Sequence, residues 1–161
     1  SARWPDHSLA AVMLKSKRFE PIRDIASNAA EGLQLAMADA ERHLADMERQ
    51  LAELTRYRGD YIANSGPTAS SVDTVRLLNF RSFLSRLSEA IRLQGEAVEK
   101  ARSEYERRHR QWSAKHVEAQ VLGKAVERFR QDERLTQDRR EQNESDDATM
   151  RRLALANPGS T

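Results

Sequence analysis

The side chains that could do chemistry are few, and their spacing does not assemble a site. His109 and His116 lie seven residues apart and would share a helix face, yet two turns separate them by about 10.5 Å, too far for one metal ion. The sequence contains no cysteine and no His-Glu-x-x-His pair, so neither a thiolate metal site nor a zinc-protease helix can be assembled. The adjacent carboxylates Asp146 and Asp147 sit in a polar stretch with no walls to exclude water or shift a pKa, which general acid–base work requires. No glycine-rich phosphate loop occurs, and serines near histidines make no triad without a concave pocket. The expectation is a protein with no catalytic residue, no cofactor and no metal.

The elements that would have to position such residues are themselves unsuited to enclosing a pocket. Charged residues make up 32% of the 161 and apolar ones 39%, while Gly and Pro are scarce, which is the balance of long helices packed along a narrow seam. The net charge is +2 from 27 basic and 25 acidic residues, far from that of a dedicated nucleic-acid binder. The absence of cysteine fits a reducing cytosol. No stretch approaches the roughly 20 apolar residues of a membrane span, and Leu9–Leu14 is too short for a secretory core. Residues 1–16 are expected to be an N-terminal extension or cloning remnant, since Met13 stands as a natural start before Lys15-Ser16-Lys17-Arg18.

Apolar residues recur at steps of three and four, the heptad signal. In a first helix over 17–63, Met37, Leu44 and Leu51 fall on one seam position. Leu33, Ala40, Met47, Leu54 and Tyr61 fall on the other, with Arg58 the charged intruder. Pro21 suits a first helical turn, which starts the helix near Phe19 or Glu20. Turn formers occupy 64–71, including Gly66-Pro67. Ser70 or Ser71 is the expected N-cap of a second helix over 72–141, and Asp73 suits the positive end of its dipole.

Along that helix one seam series runs Leu77, Leu84, Ile91, Val98, Tyr105, Trp112, Ala119 and Val126. Its companion runs Phe80, Leu87, Gln94, Ala101, Arg108, Lys115, Leu122 and Phe129, polar in the middle. Residues 142–161 read as a flexible, disordered tail, too polar to offset the entropy of ordering, with room for one short helix at Thr149 to Ala156. The fold expected is all-α: two long helices in an antiparallel coiled-coil hairpin with the second overhanging.

At 1.5 Å per residue the helices span roughly 65–70 Å and roughly 100 Å. With the turn centred near Thr68, Phe19 would face Val117, leaving the second helix unpartnered beyond about Glu118. Leu122, Val126 and Phe129 would then be an open apolar seam ringed by Arg128, Arg130, Arg134, Arg139 and Arg140, a surface for a partly acidic partner protein. Tyr57 and Phe83 lie off the seam near the turn, where they either shield it or present a docking face.

At these positions the chain resembles the FliJ family, the small coiled-coil component of the flagellar type III export apparatus. The resemblance covers about Lys17 to Gln142. It is carried by Gln50-x3-Leu54-x2-Tyr57-x3-Tyr61 before the turn and Asn79-Phe80-x2-Phe83-x3-Leu87-x2-Ala90-x3-Gln94 after it, where the family more often has His in place of Gln94. Ser16-Lys17-Arg18-Phe19-x-Pro21, and Trp112 in a basic stretch, add to it. The stalk of virulence type III secretion machines has the same architecture.

The resemblance implies a stalk that hydrolyses nothing itself. Its helix ends would bind a hexameric export ATPase ring and promote its assembly and activity, through Arg18, Phe19, Leu122, Val126, Phe129, Arg130 and Arg134. Near the turn, Gln50, Leu54, Tyr57, Tyr61, Phe83, Leu87, Ala90 and Gln94 would meet the membrane-embedded export gate. Export chaperones are further partners it implies, and the place it implies is cytoplasmic, peripheral to the inner membrane at the flagellar base. Two rivals compete. A self-associating structural coiled coil would pair the overhangs of two chains. A nucleic-acid binder would use 100–141, but twelve basic residues are interleaved there with eight acidic ones, unlike a DNA-reading helix, so no nucleic-acid partner is expected.

Overall fold

The computed structural model describes residues 14–67 and 73–159. Two helices, α1 (Lys15–Ser65) and α2 (Thr74–Ala156), pair antiparallel as a hairpin, with Tyr61 against Phe80 near the turn and Phe19 against Phe129 at the other end. Every seam residue assigned from the heptads, on both helices, is buried or half-buried. Alanine, leucine, glutamate and arginine dominate between the seam positions, which favours helix over the whole length.

The contacts divide the hairpin into a turn-proximal unit, Ala30–Ala114, and a base unit made of the chain before Ala30 and from Lys115 onward. In the turn-proximal unit Ala30, Ala40, Leu87, Val98 and Ala101 are buried. Its facing residues have numbers adding to 140 or 141, as in Tyr57–Phe83, Tyr61–Phe80 and Met47–Gln94. Buried in the base unit are Ser16, Ala26 and Val126, the last with no exposure at all. There Phe19–Phe129 and Ser16–Glu133 add to 148 and 149.

This register corrects the expectation of an unpartnered seam beyond Glu118. Leu122 and Phe129 are half-buried and Val126 is sealed within the hairpin. The seam of α1 does not begin at Leu33. It continues back at the same heptad positions through Ala30, Ala26, Arg23, Phe19 and Ser16, all buried or half-buried. Small and polar residues hold most of those places, so their burial leaves little hydrophobic signature in sequence.

The helix ends differ as well. α1 starts at Lys15, so Pro21 is interior rather than in the first turn. A proline there removes a backbone donor and costs about 3 kcal/mol in an ordinary helix interior. The preceding turns persist because Ser16, Phe19 and Glu20 each bind α2.

α2 starts at Thr74. Its N-cap is Asp73, whose carboxylate accepts the Val75 N–H at 3.2 Å while its carbonyl accepts that of Leu77 at 3.1 Å. Ser70 and Ser71 lie outside the described residues. At the turn, the Gly66 N–H donates to the Ile62 carbonyl at 3.1 Å, and a Cβ on Gly66 would stand 2.6 Å from that oxygen, so the close approach requires glycine.

α2 also runs on to Ala156, past the boundary expected at 141. Side-chain bonds between Gln137 and Glu141, Gln142 and Asp146, and Thr149 and Ser145 span its turns, and no proline intervenes before Pro158. Every residue from Arg134 to Ala156 is exposed, consistent with the absence of a seam there. Among the described residues the non-helical end is Asn157–Gly159.

Candidate protein-binding surfaces

Beside the turn, four rings from two helices form one cluster. Tyr61 stacks on Phe80, with centroids 5.3 Å apart and planes 15° apart, and tilts against Phe83 at 4.6 Å. Tyr57 meets Phe83 edge-on at 6.4 Å and remains 54% exposed. The heptad explains the division of labour: Tyr61 and Phe80 occupy seam positions, whereas Tyr57 and Phe83 flank them. A groove beside this cluster is lined by Gln50, Leu54, Arg56, Tyr57 and Asp60.

The residues expected to form a gate-facing surface therefore separate. Gln50 and Tyr57 are exposed, while Leu54, Tyr61, Phe83 and Ala90 are half-buried. Leu87 is buried in the core, and the Gln94 amide donates to the Met47 carbonyl at 3.0 Å across the seam. Leu87 and Gln94 thus serve the interior, where Gln94 is a polar seam residue with a defined partner.

At the base the arrangement is polar. Glu133 accepts the Ser16 backbone N–H at 3.0 Å and the Ser16 hydroxyl at 2.6 Å, so a carboxylate from α2 caps the first turn of α1. Those bonds hold the Glu133 carboxyl below the usual carboxylate range. Arg130 donates to Glu20 at 2.5 Å and likewise lowers that carboxyl. Beside the Glu20–Arg130 pair is the Phe19–Phe129 ring pair at 5.2 Å, with the Lys15 ammonium 5.7 Å from the Phe129 centroid.

Of the residues expected to contact a partner here, Arg18 and Arg134 are exposed, whereas Phe19, Leu122, Val126, Phe129 and Arg130 hold the two helices together. The basic residues form no uninterrupted stripe, because Arg130 pairs with Glu20 and Arg134 with Glu127 at 3.3 Å. The surface missed from sequence is α2 beyond Glu133. It exposes Leu135, Met150, Leu153 and Leu155 alongside Arg139, Arg140, Arg151 and Arg152. Its signal lay in those leucines and in the lack of any helix breaker before Pro158.

Farther along α2, Arg107 and Arg108 both donate to Glu104 and hold its carboxyl down to about 2, a pairing within one helix. His109 packs against Tyr105 and Trp112 with centroids 6.0 and 5.9 Å away. Among the described residues no group of His, Asp or Glu is placed to hold a metal, and no helix is long and apolar enough to cross a membrane.

A hairpin of two long helices with aromatic residues beside its turn is also what the family resemblance implied, and a direct comparison decides the matter. The family model described as flagellar FliJ protein matches residues 15–157. The chain belongs to the FliJ family. The match begins where α1 begins and ends one residue past α2, so it takes in the whole hairpin. No curated protein and no solved structure matches the chain. As a FliJ-family member it is a flagellar export-related coiled-coil protein, with partners in the flagellar export apparatus.

Proposed function

We propose that this FliJ-family chain is a cytoplasmic stalk of the flagellar type III export apparatus. Its base binds the hexameric export ATPase and promotes ring assembly and activity, and its turn end contacts the membrane export gate. The observation that carries the reading is the exposed continuation of α2, where Leu135, Met150, Leu153 and Leu155 lie open beside arginines. An apolar and basic helix with no partner among the described residues gains by docking on an apolar, acidic groove, such as one between ATPase subunits.

Arg18 and Arg134 belong to this contact, while Phe19, Leu122, Val126, Phe129 and Arg130 act by keeping the helix ends together. Gln50 and Tyr57 are the accessible members of the gate surface. Leu54, Tyr61, Phe83 and Ala90 form its floor, and Leu87 and Gln94 support it from beneath. Export chaperones are further candidates for the same exposed helix.

The test is the hydrolysis rate of the cognate export ATPase with and without the intact chain, and with Leu135 and Leu153 changed to Ser. Stimulation by the intact chain, lost in the variant at unchanged helicity, supports the reading. A folded chain that leaves an active ATPase unaffected overturns it. Concentration-dependent doubling of mass, abolished by the same variant, would instead favour pairing of two copies through this helix.

A further inference from the structure

The start of α1, residues 15–20, is fastened to α2 almost entirely through side chains. Lys15 sets its ammonium over the Phe129 ring, Glu133 clamps Ser16, Phe19 packs on Phe129, and Glu20 accepts from Arg130. So short a segment is not helical by itself in water, because nucleating the first turn is unfavourable and too few bonds follow to offset it. Its helical form rests on these contacts and on continuity with the helix beyond.

That continuity is weakest at Pro21, which lies inside α1. Proline has no N–H, so the Lys17 carbonyl loses the donor that would normally reach it from four residues on, and the ring crowds the same carbonyl. The residues just past it add little hold on α2. Ile22 and Ile25 are 50% and 70% exposed, and Arg23, half-buried in the seam, directs its guanidinium to Asp24 on its own helix. Firm burial resumes at Ala26.

We infer that residues 15–20 form a latch hinged at Pro21, which opens and closes as a unit over Phe129 and Arg130 while α1 from Ala26 onward stays paired. Opening parts the Ser16–Glu133 clamp, the Glu20–Arg130 pair and the ring pair together. The segment is therefore closed and helical or open and unfolded, with no stable form between. In the closed form Phe129 and Arg130 are engaged within the chain. A partner that uses either side chain binds only the open form, and its affinity is reduced by the open fraction. The latch does not depend on the stalk reading, and its failure leaves that reading standing.

The measurement is hydrogen exchange on the full chain, comparing the amides of Ser16, Arg18, Phe19 and Glu20 with those of residues 26–30, each relative to its intrinsic rate. The first group is expected to exchange at least about tenfold faster, since local opening precedes opening of the unit. Glu133→Gln, which keeps the shape but removes the charge that receives Ser16, should speed the first group about tenfold more and leave 26–30 unchanged. Pro21→Ala, which restores the missing donor, should slow the first group at least about tenfold. Equal protection of the two groups in the intact chain overturns the inference. Equal acceleration of both in Glu133→Gln also overturns it, because the base of α1 would then open in one piece. An unchanged first group in either variant does the same.

Discussion

The turn-proximal and base units use one heptad pattern and close it by different means. Beside the turn four rings interlock, and the start of α2 is capped by its own Asp73. At the base one ring pair is flanked by a carboxylate from α2 capping α1 and by the Glu20–Arg130 pair. Ring stacking responds weakly to salt and pH, whereas charged hydrogen bonds respond to both. The turn-proximal unit is thus held by ring packing, and the base unit by contacts that titrate as well as by packing. Arg130 and Glu133 are thereby engaged within the hairpin, leaving Arg18 and Arg134 open at the same end.

The largest expected effect comes from Val126, sealed at the centre of the base. Val126→Asp should destabilise that unit by roughly 3 kcal/mol or more, since the charge would be buried unpaired. Hydrogen exchange should then rise at Phe19 and Ala26 well before Tyr61. Simultaneous loss of protection in both units would mean that the two do not open separately.

Tyr61→Ala reverses the comparison. It removes a ring that touches both Phe80 and Phe83, and should cost about 2 kcal/mol by thermal unfolding. A double-mutant cycle with Phe80 should recover about 0.5–1.5 kcal/mol of that as ring coupling.

Ser16→Ala should cost about 1 kcal/mol and act only at the base. The same clamp predicts a pH dependence. Glu20 and Glu133 have folded pKa values below the ordinary 4.5, so their contribution is present above that value and lost as pH falls through the lowered ones. Exchange protection near Ser16 should therefore fall in acid before the ring cluster is affected. Glu104 titrates lower still, near 2, but its partners sit on its own helix, so its protonation should leave the pairing of α1 with α2 intact.

The smallest effect on stability belongs to Leu153→Ser, within about 0.5 kcal/mol, because that side chain is 61% exposed and packs against no second helix among the described residues. A larger loss would show that the exposed end of α2 has a partner within the free protein.

Much of this was legible from residue order, and each miss has a physical cause. The seam positions from Leu33 to Tyr61 and from Leu77 to Phe129 follow from apolar periodicity, as does the off-seam position of Tyr57. Ser16, Arg23, Ala26 and Ala30 escaped because small and polar residues carry no hydrophobic signal, although each continues the heptad. The expectation of an open seam at Leu122, Val126 and Phe129 had a different origin: a turn centred near Thr68 pairs Phe19 with Val117, whereas the facing numbers at the base add to 148 and 149 and bring Phe19 onto Phe129. The stretch 142–148 reads as tail because it offers no core contacts, yet local side-chain bonds and the absence of Gly and Pro before Pro158 join it to the short helix expected at Thr149 to Ala156.

By itself the sequence determined that this chain makes two helices, where it turns and which face of each helix meets the other, because seven-residue periodicity and the Gly66-Pro67 break are properties of residue order alone. Only the tertiary structure decided which residues stand opposite. A slip by whole heptads keeps seam upon seam, so periodicity cannot choose among registers. The choice falls to particular contacts: Tyr61 on Phe80, Gln94 on Met47, Phe19 on Phe129 and Ser16 beneath Glu133. Those contacts place Val126 in the interior and leave the leucines beyond Glu133 open to solvent.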